Sequence, residues 1–269
     1  MTRAVSTWSL HRTLGRFVGP DSATFGGPFM DSPAESSGLS LLDLPAELRA
    51  RGYDTLQIVH FHLPSRSPEY LGQLRSALAA ASIDLDTLLI DDGDLTDPDR
   101  ADEVEAWISG WLDTAVTLGA RRARVIVGRT APTSELVQSC AERLTRLAGD
   151  HPKVRLVIEN WLGMFPDGSA VQNMLRATGD SVGLLVDLGN WRGPDKFGQL
   201  ALIAPVAETC HAKCYATATG LDGDDFRRSL TVLKDASYSG PLALIYDGPS
   251  DDEWAMLDAE QELVESVFR

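Results

Sequence analysis

Four consecutive apolar runs in the second half of the chain end in residues able to hold a cation. Glu159 and Asn160 close "VRLVIEN", Asp187 follows "GLLV", His211 and Lys213 close "ETCHAK", and Asp247 closes "PLALIYD". Carboxylate, carboxylate, imidazole and carboxylate on one rim make a hard-to-borderline site for one divalent metal ion: Mn²⁺, Mg²⁺, Co²⁺ or Zn²⁺. Taken singly, an acidic residue ends a strand because the following loop is solvated. Four successive units ending this way are harder to explain by solvation. The stretch "TCHAKCYA" (209–216) offers a rival chemistry, a thiol clip made of Cys210, His211 and Cys214. On a strand, however, alternation sends His211 and Lys213 to one side and both cysteines to the other, so they do not share an ion.

Such a rim needs a repeating scaffold, and the chain supplies one. Short apolar, β-branched runs occur at 4–10, 55–61, 83–89, 122–128, 154–160, 182–188, 208–213 and 241–247. Between and after them, segments 41–51, 68–80, 100–119, 134–149, 170–178, 199–206, 224–236 and 253–268 carry apolar residues at three- and four-residue spacing, the period of amphipathic helices. "TSE" (133–135) can cap a helix start, and Gly52, Gly119 and Gly149 sit where helices should stop. Eight strand-helix units predict one α/β domain over 1–269, a (β/α)8 TIM barrel with a parallel eight-stranded sheet, whose chemistry collects at the C-terminal strand ends. A doubly wound open sheet would need a glycine-rich phosphate turn after the first strand, and "WSLHRTLG" has none. The segment at about 15–40, rich in Gly, Pro and Ser with Phe17, Phe25 and Phe29 as apolar anchors, follows the first strand and is expected to act as an active-site lid.

Composition narrows the classes. The chain has 269 residues, 39 acidic against 24 basic, for a formal charge of −15, and no basic cluster. That balance counts against nucleic-acid and anionic-membrane partners. The N-terminus lacks an apolar block with a small-residue cleavage site, so a cytoplasmic location is expected. Three cysteines, an odd number in a long chain, predict reduced thiols.

"LGARRARVIVG", "LVIENW", "GLLVDLGNW" and "CHAKC", in this order, resemble strands of the xylose-isomerase-like barrel superfamily, which includes sugar and sugar-phosphate isomerases and epimerases. The resemblance runs from "STWSLH" to "GPLALIYDG". It implies a metal held by Glu159, Asp187 and His211, with Lys213 as the family's lysine two residues after the histidine and Asn190 as a metal-site or substrate contact. Strand eight departs from the pattern: relatives read like "LSIEYEG", so the family's glutamate aligns with Ile245, and Asp247 lies about 6.6 Å further along the strand. Asp247 is kept as a candidate ligand and proton carrier.

Candidate substrate contacts complete the rim. His60 and His62, two apart in "VHFHLPS", are expected on one face of strand two, with His62 able to move a proton, and His11 follows strand one. Trp8, Trp161 and Trp191 lie at strand ends where they could stack on a sugar, beside Asn160, and Arg192 could receive an anionic group. The first reading is a metal-dependent isomerase or epimerase of a sugar, sugar phosphate or related polyhydroxy carbonyl compound acting through an enediolate, with Glu159 as base, His62 or Asp247 returning the proton, and Lys213 holding substrate oxygen. It takes a small-molecule carbohydrate and leaves homo-oligomer formation open. Two alternatives remain: a lyase on the same fold, either a polyol-ketone dehydratase or an enzyme cleaving a glycoside by elimination, and a non-catalytic sugar-binding barrel. A DNA-repair endonuclease, also known on this barrel, would need more histidines than five and a less acidic surface.

Overall fold

A computed structural model describes residues 3–15, 38–217 and 220–268. The segment expected to form a lid at about 15–40, with Phe17, Phe25 and Phe29, lies almost wholly outside the described residues. Among those described, eight parallel strands close into a barrel: β1 (Arg3–Ser6), β2 (Thr55–Val59), β3 (Asp84–Ile90), β4 (Arg122–Val125), β5 (Arg155–Glu159), β6 (Gly183–Asp187), β7 (Ala207–Lys213) and β8 (Leu242–Ile245). Sequential strands are neighbours, and β8 closes the ring against β1. The helices are α1 (Leu44–Ala50), α2 (Pro68–Ala81), α3 (Ala101–Leu118), α4 (Ser134–Asp150), α5 (Gly168–Thr178), α6 (Lys196–Ile203), α7 (Gly223–Asp235) and α8 (Glu253–Phe268). This is the (β/α)8 barrel that the strand-helix period predicts. None of the described helices is long and apolar enough to cross a membrane.

The helix ends follow local chemistry. Thr133 caps α4 by accepting from Leu136 N, and Gly119 ends α3 in the left-handed region at φ 77°. Gly149 does not stop α4, which continues to Asp150. Glu253, buried in the first turn of α8, accepts from Arg12 N at 2.8 Å and Thr13 N at 2.9 Å, tying the turn after β1 to the last helix.

Strand alternation sorts side chains into two cores. Outward residues such as Leu156, Ile158, Leu184, Val186, Cys210 and Ala212 join the large cluster beneath the helices. Inward, Val59, Leu89, Val157 and Leu185 form a separate apolar layer inside the barrel, with Trp8 and Phe61 packed on it. Glu159 and Asp187 are two residues beyond Val157 and Leu185, so the same alternation places them inside the barrel on top of that layer. Cys210 and Cys214 are buried in the outer core as free thiols, away from the rim, as alternation requires.

The barrel floor therefore holds the site up. Leu185→Ala should leave a cavity there and lower the free energy of urea unfolding by about 3 kcal/mol, with the slope of the transition unchanged.

Candidate metal centre

Glu159, Asp187 and His211 converge. One ligand atom from each lies within 4.8 Å of the others, and all three residues are buried. His211 Nδ1 stands 3.4 Å from Glu159 Oε1 and 3.5 Å from Asp187 Oδ2. Backbone and side-chain contacts fix each group. Asp187 Oδ1 accepts from Gly189 N at 2.6 Å, and Asn190 Nδ2 donates to Glu159 Oε1 at 2.9 Å. Asn160, expected to touch substrate, instead turns away: it donates to Asp187 O at 3.0 Å and accepts from Asp187 N at 2.7 Å, locking β5 to β6 just below the carboxylates.

Arg124, an inward residue of β4, was not singled out in the sequence. Its guanidinium is buried, pairs with Asp91, donates to Ile90 O at 3.3 Å and places Nε 3.0 Å from Glu159 Oε2. That last contact is a charge pair off the line of a hydrogen bond, so Glu159 Oε2 and Arg124 Nε have no hydrogen-bond partner among the described residues. Burial pushes the Glu159 carboxyl up, but Arg124 and His211 outweigh it and hold it below the ordinary carboxylate value. Burial likewise pulls the His211 imidazole down, yet Glu159 and Asp187 carry it to about 9.

The surrounding pocket has two characters. Trp8, Leu89, Trp161 and Ile245 give it apolar walls, while Asp91, Arg124, Glu159, Asp187, Asn190, His211 and Lys213 give it a polar floor and flank. Lys213 reaches the pocket beside Gly189, where any side chain would collide with the lysine stem, whose nearest carbon lies 2.7 Å from the position of a Cβ.

Several expected residues sit elsewhere. Asp247 does not join the trio: its carboxylate, about a third exposed, is tied to Lys213 Nζ at 2.6 Å. Ile245, in register with Lys213, fills the inward position of β8. His60 and His62 do not share a strand face, because β2 ends at Val59 and residues His60–His62 form a 3-10 turn that breaks the alternation. His60 packs edge-on against Trp107 and Trp111, and its Nδ1 accepts from Asp91 N at 3.0 Å. His62 is fully buried, with Nδ1 at 2.8 Å from Thr7 Oγ1 and Nε2 at 3.0 Å from His11 Nδ1. Neither these histidines nor His11 lines the pocket. Trp191 donates from Nε1 to Phe165 O at 3.0 Å and packs on the outer core, and the exposed Arg192 stacks on Tyr215 at 3.8 Å. Arg124 and Asp91 are the site residues missed. The available signal was an arginine at an inward position of the apolar run "RARVIV", and the acidic pair closing "LLIDD".

No protein-family model and no curated protein sequence matches the chain. Solved structures do. A xylose isomerase-like TIM barrel protein from Mycobacterium smegmatis, in complex with magnesium, aligns over 100% of this chain and 98% of its own at 16% identity and a TM-score of 0.69. A D-allulose 3-epimerase from Methylomonas sp. aligns over 99% and 98% at 12% identity and a TM-score of 0.71. A xylose isomerase domain protein from Planctomyces limnophilus covers 83% of this chain and 92% of its own at 18% identity and a TM-score of 0.67. Fold and cluster together give a (β/α)8 barrel with three buried side chains at its rim that could hold a metal ion. In fold, that barrel is of the xylose-isomerase-like kind.

The relocation of His60 has a measurable consequence. Burial pulls its imidazole from 6.5 down to about 4, against an opposite pull from Asp91. The unfolded chain therefore takes up a proton near pH 6.5 that the folded protein refuses until about pH 4, so this contribution to stability is complete above 6.5 and lost as pH falls to 4. The loss amounts to about 3 kcal/mol, and His60→Gln should flatten the unfolding free energy over that window by a similar amount. Urea titrations at pH 7 and pH 4.5 measure it.

Proposed function

We propose that this protein is a divalent-metal-dependent isomerase or epimerase of a sugar, sugar phosphate or related polyhydroxy carbonyl compound. The observation that carries the proposal is the convergence of the Glu159, Asp187 and His211 ligand atoms within 4.8 Å at the C-terminal rim of the barrel. The donor set fits Mn²⁺, Mg²⁺, Co²⁺ or Zn²⁺, since two carboxylates and an imidazole are buried together and Glu159 Oε2 has no hydrogen-bond partner among the described residues. Two of the fold relatives bear on the choice: one was solved with magnesium, and another is named a D-allulose 3-epimerase.

When bound, such an ion would polarise a substrate carbonyl and lower the cost of the enediolate left by proton removal. The chain's own residues supply the rest. Arg124 keeps Glu159 ionised, so its carboxylate enters the reaction as the acceptor of a carbon-bound proton. Asn190, donating to Oε1, fixes the rotamer of the Glu159 carboxylate at the pocket. Lys213, with Asp247 as its counter-ion, offers ammonium donors to a substrate oxygen. The Trp8 and Trp161 faces suit the apolar C–H side of a sugar and exclude water from the polar floor. His62 is spent on Thr7 and His11 and does not return the proton. The pairing of Lys213 with Asp247 supports that pair as the proton donor in this reading.

A lyase is the second reading, and Ile245 is the observation that favours it. The inward position of β8 presents an alkyl group to the pocket, and elimination needs one base where epimerisation needs a proton carrier on each face.

Metal content and turnover test both. With the Mn²⁺-loaded protein and a panel of ketoses in D2O, proton NMR should show deuterium entering a carbon-bound position beside the carbonyl. Glu159→Gln should lower that rate about a hundredfold or more. An unchanged rate in this variant would refute the assignment of the base. Asp187→Asn should weaken Mn²⁺ binding, read by equilibrium dialysis, with little change in thermal unfolding of the metal-free protein.

A further inference from the structure

Beneath the trio runs a column of buried polar groups that the proposed chemistry does not use. His211 Nε2 lies 2.9 Å from Gln57 Oε1. Gln57 Nε2 donates to Asp86 Oδ2 at 3.0 Å and to Thr209 Oγ1 at 3.1 Å. The same Asp86 oxygen accepts from Thr87 Oγ1 and Thr209 Oγ1, both at 2.8 Å, and Asp86 Oδ1 is paired with Arg122. Gln57, Thr87 and Thr209 are fully buried, and Asp86 is 1% exposed.

Two irregularities of the sheet build this column. Between β2 and β3 the register jumps from Leu56↔Leu85 to Gln57↔Thr87, leaving Asp86 as an extra residue. Between β6 and β7 it jumps from Leu184↔Ala207 to Leu185↔Thr209, leaving Glu208 as another. Bulges of this kind re-aim side chains, and here the two extra residues are carboxylates that meet the same Arg122.

The donors and acceptors permit one arrangement. An ionised carboxylate only accepts, so the amide nitrogen of Gln57 must face Asp86 and its oxygen must face His211. An amide oxygen also only accepts, so Nε2 of His211 must carry hydrogen. The nitrogen left to offer a lone pair is Nδ1, the one that faces Glu159 and Asp187. We propose that Asp86, anchored by Arg122, is a positioning residue that acts through Gln57 to hold His211 as the Nε2–H tautomer and so aims Nδ1 at the ion. Its effect on metal binding rests on the function proposed above; the tautomer itself does not.

Asp86→Asn tests it with little change of shape. An amide at 86 can present either oxygen or nitrogen, so Gln57 is free to rotate and offer its NH2 to Nε2, which moves the ring proton to Nδ1. Mn²⁺ affinity should fall about tenfold or more. The double variant Gln57→Glu/Asp86→Asn moves the carboxylate to position 57, where it accepts from both His211 and Asn at 86, and should restore most of the lost affinity. A merely structural role for Asp86 would not be rescued by shifting the charge. Unchanged affinity in Asp86→Asn, or no recovery in the double variant, overturns the proposal. If circular dichroism shows Asp86→Asn unfolded, Gln57→Met carries the same test, since it leaves Nε2–H without an acceptor, and wild-type affinity there overturns the proposal equally.

A second readout needs no metal. Ring nitrogen NMR of histidine-labelled protein, titrated until the His211 ring has lost its second proton, should show one tautomer protonated at Nε2 in the wild type and a mixture in Asp86→Asn. A wild-type ring protonated at Nδ1 overturns the inference. Failure of the wild type to bind any of the four cations, with the Nε2–H tautomer intact, would instead count against the metal-dependent function alone.

Discussion

Two carboxylates and an imidazole, all buried within a few ångströms of one another, are costly to remove from water unless charge and hydrogen bonds replace their hydration. That cost dictates much of what surrounds them. Arg124 is buried in the barrel wall because Glu159 and Asp91 are there to receive it, and it is the only described side chain paired with both. Removing either partner would strand the other charge in a medium that cannot screen it. Asn190 and Gly189 N donate to carboxylate oxygens of Glu159 and Asp187, Asn160 holds the Asp187 backbone, and Gln57 satisfies the far nitrogen of His211. The polar rim is one interlocked unit.

A closed parallel barrel gives such a unit its address. Every strand delivers alternate residues to the interior, and the apolar layer of Val59, Leu89, Val157 and Leu185 divides that interior into an upper and a lower compartment. Above it lie Glu159, Asp187 and His211. Below it, Asp86, Arg122, Glu208 and Arg155 form a charge ladder that ends at the opposite mouth, with Arg155 Nη2 2.8 Å from Glu208 Oε1. Gln57 spans the two compartments, one residue pair below the apolar Val59 on the same face. Its amide is polar at both ends, which is what a connection between two polar levels through an apolar floor requires.

What the sequence reveals follows from period. Polar residues near the C-terminal ends of buried strands bring Glu159, Asp187 and His211 to notice, because a parallel strand covered on both faces is otherwise mostly apolar. The eight-unit repeat is legible for the same reason. His60 and His62 deceive because the switch from strand to 3-10 turn at Val59 leaves no mark in "IVHFHL", and a period of two extended by three residues puts both on a face they do not occupy. Arg124 in "RARVIV" reads as a solvated strand residue until its partners at the ends of the two flanking strands are known. The column through Gln57 and Asp86 is hidden more deeply, since it depends on two register jumps that no local pattern encodes.

Strand eight sets the balance between the chemistries this rim can support. Ile245 is inward and in register with Lys213, so the alkyl wall and the ammonium are neighbours on adjacent strands. Asp247, two residues on and past the end of the strand, pairs with Lys213 rather than joining the trio. The strand thus contributes a wall and a counter-ion where a fourth ligand would have brought negative charge. One consequence is electrostatic: with two carboxylates instead of three, and Arg124 already facing one of them, the trio presents a less negative field to a cation. The other is stereochemical. Asp91, Glu159 and Asp187 are the carboxylates that line the pocket, Asp91 is held by Arg124, and β8 and β7 add Ile245 and an ammonium already paired. Proton transfer on a single face, as in moving a carbonyl to its neighbouring carbon or in eliminating a leaving group, asks only for Glu159 and a donor. Inversion of a carbinol carbon asks in addition that Lys213 release its hold on Asp247 at the moment the proton is delivered.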